Sequence, residues 1–135
     1  MDNKPPAPDN AGETAFFPGR APIDAYGNDG FRFAEMSHRG SLLCLPAGIY
    51  AWSPPAEPGA LTGDDFALLF ANLEGVAFLL LGTGDSQIFP SAGLRRAFDE
   101  RGIGLEPMST GSAARTYNVL LAEGRDVAAA LYAVA

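Results

Sequence analysis

Two short segments rich in glycine, serine and threonine contain the residues best suited to bind a ligand in this sequence. The first segment spans residues 82–87 (GTGDSQ) and the second spans residues 109–112 (STGS). Each follows a stretch that predicts a parallel strand, and ligands of open α/β sheets bind outside the carboxyl ends of such strands. We therefore expect a pocket between the two segments, with these candidate residues: Gly82, Thr83, Gly84, Asp85, Thr110, Gly111, Ser112, Arg115 and Asn118.

Arg115 is the most informative of these residues, because it lies in the first two turns of a predicted helix, where the helix dipole disfavours a cation. Two explanations are open. In the favoured one, Arg115 forms an ion pair with Asp85 of the other segment, since perturbed charges are common in structural networks. In the alternative, the backbone N–H groups of residues 110–112 and the Arg115 guanidinium bind a small anion, either a carboxylate or a phosphate.

The glycines at positions 82 and 84 match the start of the dinucleotide-binding fingerprint, but the residues that follow do not fit it. The fingerprint requires a third glycine at position 87, where Gln87 stands, and a helix that begins at once. A phosphate-binding P-loop requires a Gly-Lys pair, which the sequence lacks. We therefore expect no cofactor, and we interpret Gly82 and Gly84 as a tight strand exit in which glycine adopts a positive φ angle.

The sequence offers few side chains for nucleophilic catalysis or metal binding, because it contains one cysteine and one histidine. Cys44 lies in an apolar strand, where a buried thiol is usually inert, and His38 is predicted in a solvated turn. These counts exclude an intramolecular disulfide and the ordinary Cys/His zinc sites. We expect no catalytic residues and no metal site, and the residues favour a non-enzymatic protein over an enzyme.

Length and charge narrow the class of protein further. The 135 residues predict one domain over residues 21–135, preceded by a flexible tail over residues 1–20 that contains four prolines. The net charge is −7 and Lys4 is the sole lysine, which argues against nucleic acid and anionic membranes as partners. No apolar run in the sequence approaches the roughly 20 residues that a membrane span requires. With no targeting segment recognised, we expect a cytoplasmic protein.

Residues 22–52 alternate short β-like runs with turn signals and predict an antiparallel meander. The predicted turns lie at residues 27–30 and 37–40, and residues 42–45 are apolar on both faces, as expected of a central strand. Trp52 either seals the edge of the core or belongs, with nearby aromatic residues, to an exposed patch for a partner. The aromatic residues of that patch would be Phe16, Phe17 and Tyr50.

After residue 60 the pattern changes to alternating helices and strands, which predicts a β-α-β-α-β arrangement with parallel strands. A capping box at Thr62 and Asp65 begins a helix that ends near Gly75, and a continuous apolar strand follows. The remaining elements are a helix from about Pro90 to Gly102, a strand at 104–108, a helix capped by Ser109 or Thr110, and a strand at 127–134. These elements predict an α/β fold with an antiparallel β subdomain.

Four strings in the sequence are similar to a known family. They are YGNDGFRF, LPAGIYAW, FLLLGTGDSQIFP and STGSAARTYNVLLAEGRDVAAALY, and the resemblance extends from about Ile23 to Val134. They resemble the small single-domain family that includes the mitochondrial NADH:ubiquinone oxidoreductase (complex I) assembly factor three, with bacterial and archaeal relatives of unknown function. The ordered pair of a Gly-Thr-Gly segment and a Thr-Gly-x-x-x-Arg-Thr-Tyr-Asn segment is the most specific part of this resemblance.

The resemblance implies a fold and a function. The fold is a three-layer domain with a mixed central sheet, helices and an additional antiparallel β layer. The function is that of a non-enzymatic helper that binds a protein partner, an assembly factor or a subunit of a membrane respiratory complex, and is peripheral to the inner membrane. Ala114 stands where relatives often have a cysteine, which favours a packing role at that position.

Overall fold

The computed structural model describes residues 15–135. Its strands are β1 (Ala25–Gly27), β2 (Gly30–Phe33), β3 (Met36–Arg39), β4 (Ser41–Leu45), β5 (Gly48–Trp52), β6 (Phe78–Gly82), β7 (Gly104–Met108) and β8 (Val127–Leu131). Its α-helices are α1 (Ala67–Phe70), α2 (Ala92–Asp99) and α3 (Thr110–Ala122), and two 3₁₀ turns, Pro58–Ala60 and Gly63–Phe66, precede α1. These elements confirm the α/β class.

The central sheet has five strands in the order β5-β4-β8-β6-β7. β6 pairs in parallel with both β7 and β8, so β6, α2, β7, α3 and β8 form the predicted β-α-β-α-β half. β4 pairs antiparallel with β5 and with β8, which makes the sheet mixed. The continuous apolar sequence of β4 reflects this position, because Leu42 to Leu45 are all buried within the sheet.

Two layers cover the central sheet, and together with it they form the expected three-layer domain. On one face, the 3₁₀ turn Gly63–Phe66, α1 and α2 pack through side chains such as Phe66, Leu69 and Phe98. On the other face, α3 packs together with a three-stranded antiparallel sheet of order β1-β2-β3. The pattern of β2 explains this second packing, since Phe31 and Phe33 are buried while Arg32 between them is exposed.

The three-stranded sheet differs from the prediction at its second turn. We expected a turn at residues 37–40, but Met36–Arg39 is strand β3 and His38 lies within it. The chain turns instead at Ala34 and Glu35, between β2 and β3, where the φ angles are 49° and 62°. Such a two-residue turn with positive φ is usually built from Asn, Asp or Gly, so Ala and Glu gave no sequence signal for it.

The predicted helix after the capping box is shorter than expected. The backbone N–H of Thr62 does donate to Asp65 Oδ2 at 2.9 Å, as the capping box predicts. The segment begins as a 3₁₀ turn, however, and α1 ends at Phe70, before Leu73. The last strand also ends early, at Leu131 instead of Val134. In the sequence, Leu73 continues the helical spacing of apolar residues beyond the end of α1. It lies in a non-helical segment, and its side chain still packs against the core, which explains why the position is apolar.

Residues 1–14 of the predicted tail lie outside the described residues, and residues 15–20 contact the sheet. Phe16 N–H donates to Ile49 O at 2.7 Å, and Ile49 N–H donates to Phe17 O at 2.9 Å. Trp52 and Tyr50 are buried in the core, so Trp52 seals the core edge, and Phe16 alone of the predicted patch is largely exposed. No helix within residues 15–135 has the length and apolar content needed to cross a membrane.

Candidate functional site

Thr83 organises the loop that follows β6. Its hydroxyl donates to Ser86 O at 2.6 Å and accepts from the backbone N–H of Ile88 at 3.0 Å. Its own backbone N–H donates to Met108 O at 2.9 Å, at the end of β7. Thr83 is buried, and its hydroxyl is used in hydrogen bonds that close the loop on itself.

Thr110 performs the same role at the start of α3. Its hydroxyl donates to Tyr132 O at 2.8 Å and accepts from the backbone N–H of Gly84 at 3.0 Å. Its backbone N–H donates to Gly84 O at 2.8 Å. Thr110 therefore joins the loop after β6 to the segment after β8, from a fully buried position.

Two of the candidate glycines permit close approach and one permits a turn. A Cβ atom on Gly82 would lie 2.9 Å from the Thr110 Cα, so α3 can approach the end of β6 only because position 82 has no side chain. A Cβ atom on Gly111 would overlap the hydroxyl of Tyr26. Gly84 has a φ angle of 107°, as expected of a tight strand exit, whereas the positive φ angle expected at Gly82 is not found.

Asn118 uses its whole side-chain amide inside the fold. Its Oδ1 accepts from the backbone N–H of Ile23, and its Nδ2 donates to Ile23 O, both at 2.8 Å. The amide thus makes the two backbone hydrogen bonds that a neighbouring strand would otherwise make to the segment before β1. Both bonds are directed into the fold and away from a pocket.

Arg115 and Asp85 do not form the predicted ion pair within residues 15–135. Both side chains are exposed, and Arg115 Nη1 lies 3.5 Å from the position that a Cβ on Gly111 would take, beside Tyr26. The N-cap residue Ser109 already accepts from the backbone N–H of Ser112 through its hydroxyl. For an anion at this helix start, Arg115 therefore remains as the main donor among the candidates.

The nine candidate residues thus lie at the carboxyl ends of β6 and β7 and along α3, where the prediction placed them. Thr83, Thr110 and Asn118 bond within the fold, whereas Asp85 and Arg115 are exposed. Two cavities of the described residues, of about 420 and 260 Å³, are lined by none of the nine. The prediction missed two large apolar side chains in the adjoining loop, Ile88 and Phe89, which are 36% and 68% exposed. The signal was present in the sequence, as an apolar pair between polar loop residues and Pro90.

The titratable groups near the core offer no reactive nucleophile within residues 15–135. Cys44 is fully buried, and burial raises the pKa of its thiol to about 12. Burial also raises the pKa of Tyr117 above its usual range, and the Tyr117 hydroxyl has no hydrogen-bond partner within the described residues. His38 Nε2 lies 3.2 Å from Ser41 O, and its ring packs against the Phe16 ring at an interplanar angle of 55°, so it is engaged in the fold.

Comparison with known proteins identifies the family. A family model described as a protein of unknown function (DUF498/DUF598) matches residues 23–132. The chain belongs to this family. A protein of Rhodobacter capsulatus, described as uncharacterised, is 45% identical over 116 residues, which are 85% of this chain and 86% of that protein.

The resemblance proposed from the sequence is confirmed by a second group of relatives. The human protein named NADH dehydrogenase [ubiquinone] 1 alpha subcomplex assembly factor 3 is 30% identical over 109 residues, which are 81% of this chain. The match spans 59% of the human protein, so this chain corresponds to less than two thirds of that relative's length.

Solved structures of bacterial relatives share the fold. A Bartonella henselae protein described as an outer membrane protein is 50% identical with a TM-score of 0.83, covering 88% of this chain and 99% of that one. The Rpa2829 protein of Rhodopseudomonas palustris is 40% identical with a TM-score of 0.77, covering 91% and 90%. A Bordetella pertussis protein described as an Mth938-like domain is 25% identical with a TM-score of 0.69, covering 98% and 92%. These matches confirm the three-layer fold.

Proposed function

We propose that this protein is a non-enzymatic accessory factor that binds a protein partner during the assembly or maturation of a membrane respiratory complex. The name of the human relative, an assembly factor of NADH dehydrogenase, supports the choice of complex. The proposal places the protein in the cytoplasm and at the inner membrane only through its partner. It assigns no catalytic residue and no cofactor to the chain.

One observation carries the proposal: the loop after β6 exposes a large aromatic side chain, while the hydroxyls of Thr83 and Thr110 are used inside the fold. Thr83 bonds to Ser86 and Ile88 within the loop and Thr110 accepts from the Gly84 N–H, whereas Phe89, in the same loop, is 68% exposed. A large aromatic side chain with this exposure is costly to leave in water and is typical of an interface anchor. This distribution fits recognition of a protein surface better than recognition of a small polar ligand.

The loop also holds Phe89 in a defined position. The backbone N–H of Ile88 donates to Thr83 Oγ1 at 3.0 Å, and Gln87 Nε2 donates to Pro107 O at 2.9 Å on the edge strand β7. Phe89 then precedes Pro90, whose ring restricts the backbone on either side. A preorganised anchor loses less conformational entropy on binding than a mobile one, so this loop is suited to present an aromatic residue to a partner.

Affinity capture with a point variant tests the proposal. The tagged protein, expressed in a bacterium that has NADH dehydrogenase, should recover subunits or assembly proteins of that complex from a detergent extract. Phe89→Ser should reduce their recovery by about tenfold or more, as expected for loss of an anchor worth over about 1.4 kcal/mol. Val119→Ser is the matched control, because Val119 is an exposed apolar residue on α3 with 57% exposure.

The alternatives give distinct results. Recovery of the same subunits by wild type and Val119→Ser, with loss in Phe89→Ser, supports both the partner and the surface. Failure of the wild type to recover any subunit or assembly protein of the complex overturns the proposed function. Equal recovery by all three proteins retains the function but moves the interface away from the loop.

A further inference from the structure

The larger of the two cavities lies on the three-stranded sheet, away from the loops described above. Its volume is about 420 Å³, and its lining includes Gly27, Gly30, Arg32, Ser37 and Arg39. Small-molecule sites commonly have volumes of roughly 300–1,000 Å³, so this groove has the size of a ligand site. The proposed protein interface does not include it.

The register of the sheet brings the polar residues of this groove to one face. Arg32 pairs with Ser37, and Gly30 pairs with both Gly27 and Arg39. Side chains of directly paired residues, and of residues two apart along a strand, point to the same side of a sheet. The alternate residues Phe31 and Phe33 are buried, so the face with the two arginines is the outer one.

Glycines form the floor of the groove. A Cβ atom on Gly27 would meet nothing within 4 Å, so the space above it is open. A Cβ atom on Gly30 would overlap the backbone carbonyl of His38. The open space of the groove therefore lies above Gly27, whereas Gly30 marks the point where β2 and β3 approach closely.

The two arginines lie on a diagonal of the sheet, with a separation of roughly 7–8 Å between such positions. Arg32 Nη1 donates to Ser37 Oγ at 2.7 Å, which orients the guanidinium and leaves its other N–H groups available. Within residues 15–135 no ion pair joins a carboxylate to Arg32 or Arg39. The chain has a net charge of −7 and nine Lys and Arg residues, and the register of β2 and β3 places two of these nine cations on one face of the sheet.

We propose that this groove binds a small free oxyanion, a phosphate ester or a polycarboxylate, between Arg32 and Arg39. Guanidinium groups match the planar and bidentate geometry of carboxylate and phosphate oxygens, and Ser37 supplies a hydroxyl on the same face. The overall negative charge disfavours an anionic membrane or a nucleic acid as the source of that group. A free small molecule is the source that fits both the groove and the charge.

Two-dimensional ¹H–¹⁵N NMR with millimolar inorganic phosphate, pyrophosphate and citrate in separate titrations tests this proposal, with sodium chloride at matched ionic strength as reference. We expect saturable shifts at the backbone amides of Gly27, Gly30 and Ser37 with at least one probe. The double variant Arg32→Gln/Arg39→Gln should weaken the apparent affinity by about tenfold or more, because it removes both charged donors. Arg95→Gln/Arg96→Gln on α2 removes the same charge elsewhere and should retain the affinity.

The probes also separate the two chemical classes. A response to phosphate or pyrophosphate assigns a phosphate ester, and a response to citrate alone assigns a polycarboxylate. Shifts that sodium chloride reproduces, or that the two double variants lose equally, reflect general charge screening and overturn the proposal. Absence of saturable shifts at the groove amides with all three probes overturns it as well.

Discussion

The side-chain amide of Asn118 is paired with the backbone of Ile23 through two hydrogen bonds of 2.8 Å. The two residues are 95 positions apart in the chain, so α3 holds the segment that leads into β1. Ile23 is 5% exposed, which means that water has little access to either backbone group. The contact ties the three-stranded sheet to the β-α-β-α-β half of the domain.

Asn118→Ala should therefore destabilise the protein. Removal of the amide leaves the N–H and C=O groups of Ile23 buried without partners, and each such group costs about 1–3 kcal/mol. We expect the free energy of unfolding in urea to fall by about 2 kcal/mol or more. Asn72→Ala is the matched control, since Asn72 makes a single local hydrogen bond to Leu68 O and its loss should cost about 1 kcal/mol or less. Equal losses in the two variants would contradict the structural role of Asn118.

Gly82→Ala tests the close approach of α3 to β6. The added methyl group would lie 2.9 Å from the Thr110 Cα and 3.0 Å from a Leu131 methyl group, so the helix must move away from the sheet. Overpacking of this kind costs about 1–3 kcal/mol, which thermal or urea unfolding would detect. Gly59→Ala is the control, because a Cβ there meets nothing within 4 Å and its effect should be small or stabilising.

Residues 15–20 should contribute to stability through their contacts with β5. A chain that begins at residue 21 loses the hydrogen bonds between Ile49 and residues 16 and 17, while a chain that begins at residue 15 retains them. We expect the shorter chain to be less stable by about 1–3 kcal/mol, since Ile49 is fully buried. Equal urea midpoints for the two chains would show that residues 15–20 contribute nothing to stability, as predicted for a flexible tail.

The stability of the protein should fall at alkaline pH because Cys44 holds its proton more tightly in the folded state. Its pKa rises from an ordinary value of 9.0 to about 12 through burial, so the folded state is favoured below pH 9 and loses that advantage between pH 9 and 12. The expected slope is about −1.4 kcal/mol per pH unit from this group. Cys44→Ala should be less stable at pH 7, and its deficit should shrink above pH 9.

A control separates Cys44 from the tyrosines. Burial raises the pKa of Tyr117 above its usual range and that of Tyr132 to about 12, so both add to the loss of stability above pH 10 in every variant. The difference in unfolding free energy between wild type and Cys44→Ala cancels the Tyr132 contribution, and it cancels the Tyr117 contribution except for the part of the raised Tyr117 pKa that the Cys44 charge causes. A difference that stays constant from pH 8 to pH 11 would show that the folded thiol titrates like an exposed one.

The elements predicted correctly are those whose signals are local. α3 has its N-cap at Ser109, one of the two predicted caps, and β6 and β8 are continuous apolar runs. α2 was located from Pro90 and Gly102, although its N-cap is Ser91. β3 was missed because its turn at Ala34 and Glu35 lacks the usual turn residues.

The position of the candidate site could be predicted from the sequence. Whether its polar groups are free to bind a ligand or already bonded within the fold could not. The carboxyl ends of β6 and β7 follow from the β-α-β pattern, whereas the partners of Thr110 and Asn118 depend on residues 22 and 95 positions away. The arginine groove depends on the register of β1, β2 and β3, which an unrecognised turn had shifted. Contacts between distant segments, and not local propensity, decide whether a polar loop is open or filled.

Thr110→Val provides the sharpest test of whether the candidate loops are filled from within. Valine keeps the shape of threonine but removes the hydroxyl, which leaves Tyr132 O without its donor and the Gly84 N–H without its acceptor. Because Thr110 is fully buried, we expect a loss of about 2–4 kcal/mol in the free energy of unfolding. Thr110→Ser retains the hydroxyl and should recover most of that loss, apart from about 1 kcal/mol for the missing methyl group.

The same pair of variants distinguishes a structural hydroxyl from a ligand-binding one. If Thr110 serves the fold, the thermal midpoint should fall in Thr110→Val and be restored in Thr110→Ser without any added anion. If it serves a ligand at the start of α3, Thr110→Val should leave the midpoint unchanged in buffer and abolish stabilisation by phosphate, together with Arg115→Gln. The first outcome is expected, since the Thr110 hydroxyl already donates its proton to one partner in the fold and accepts from another.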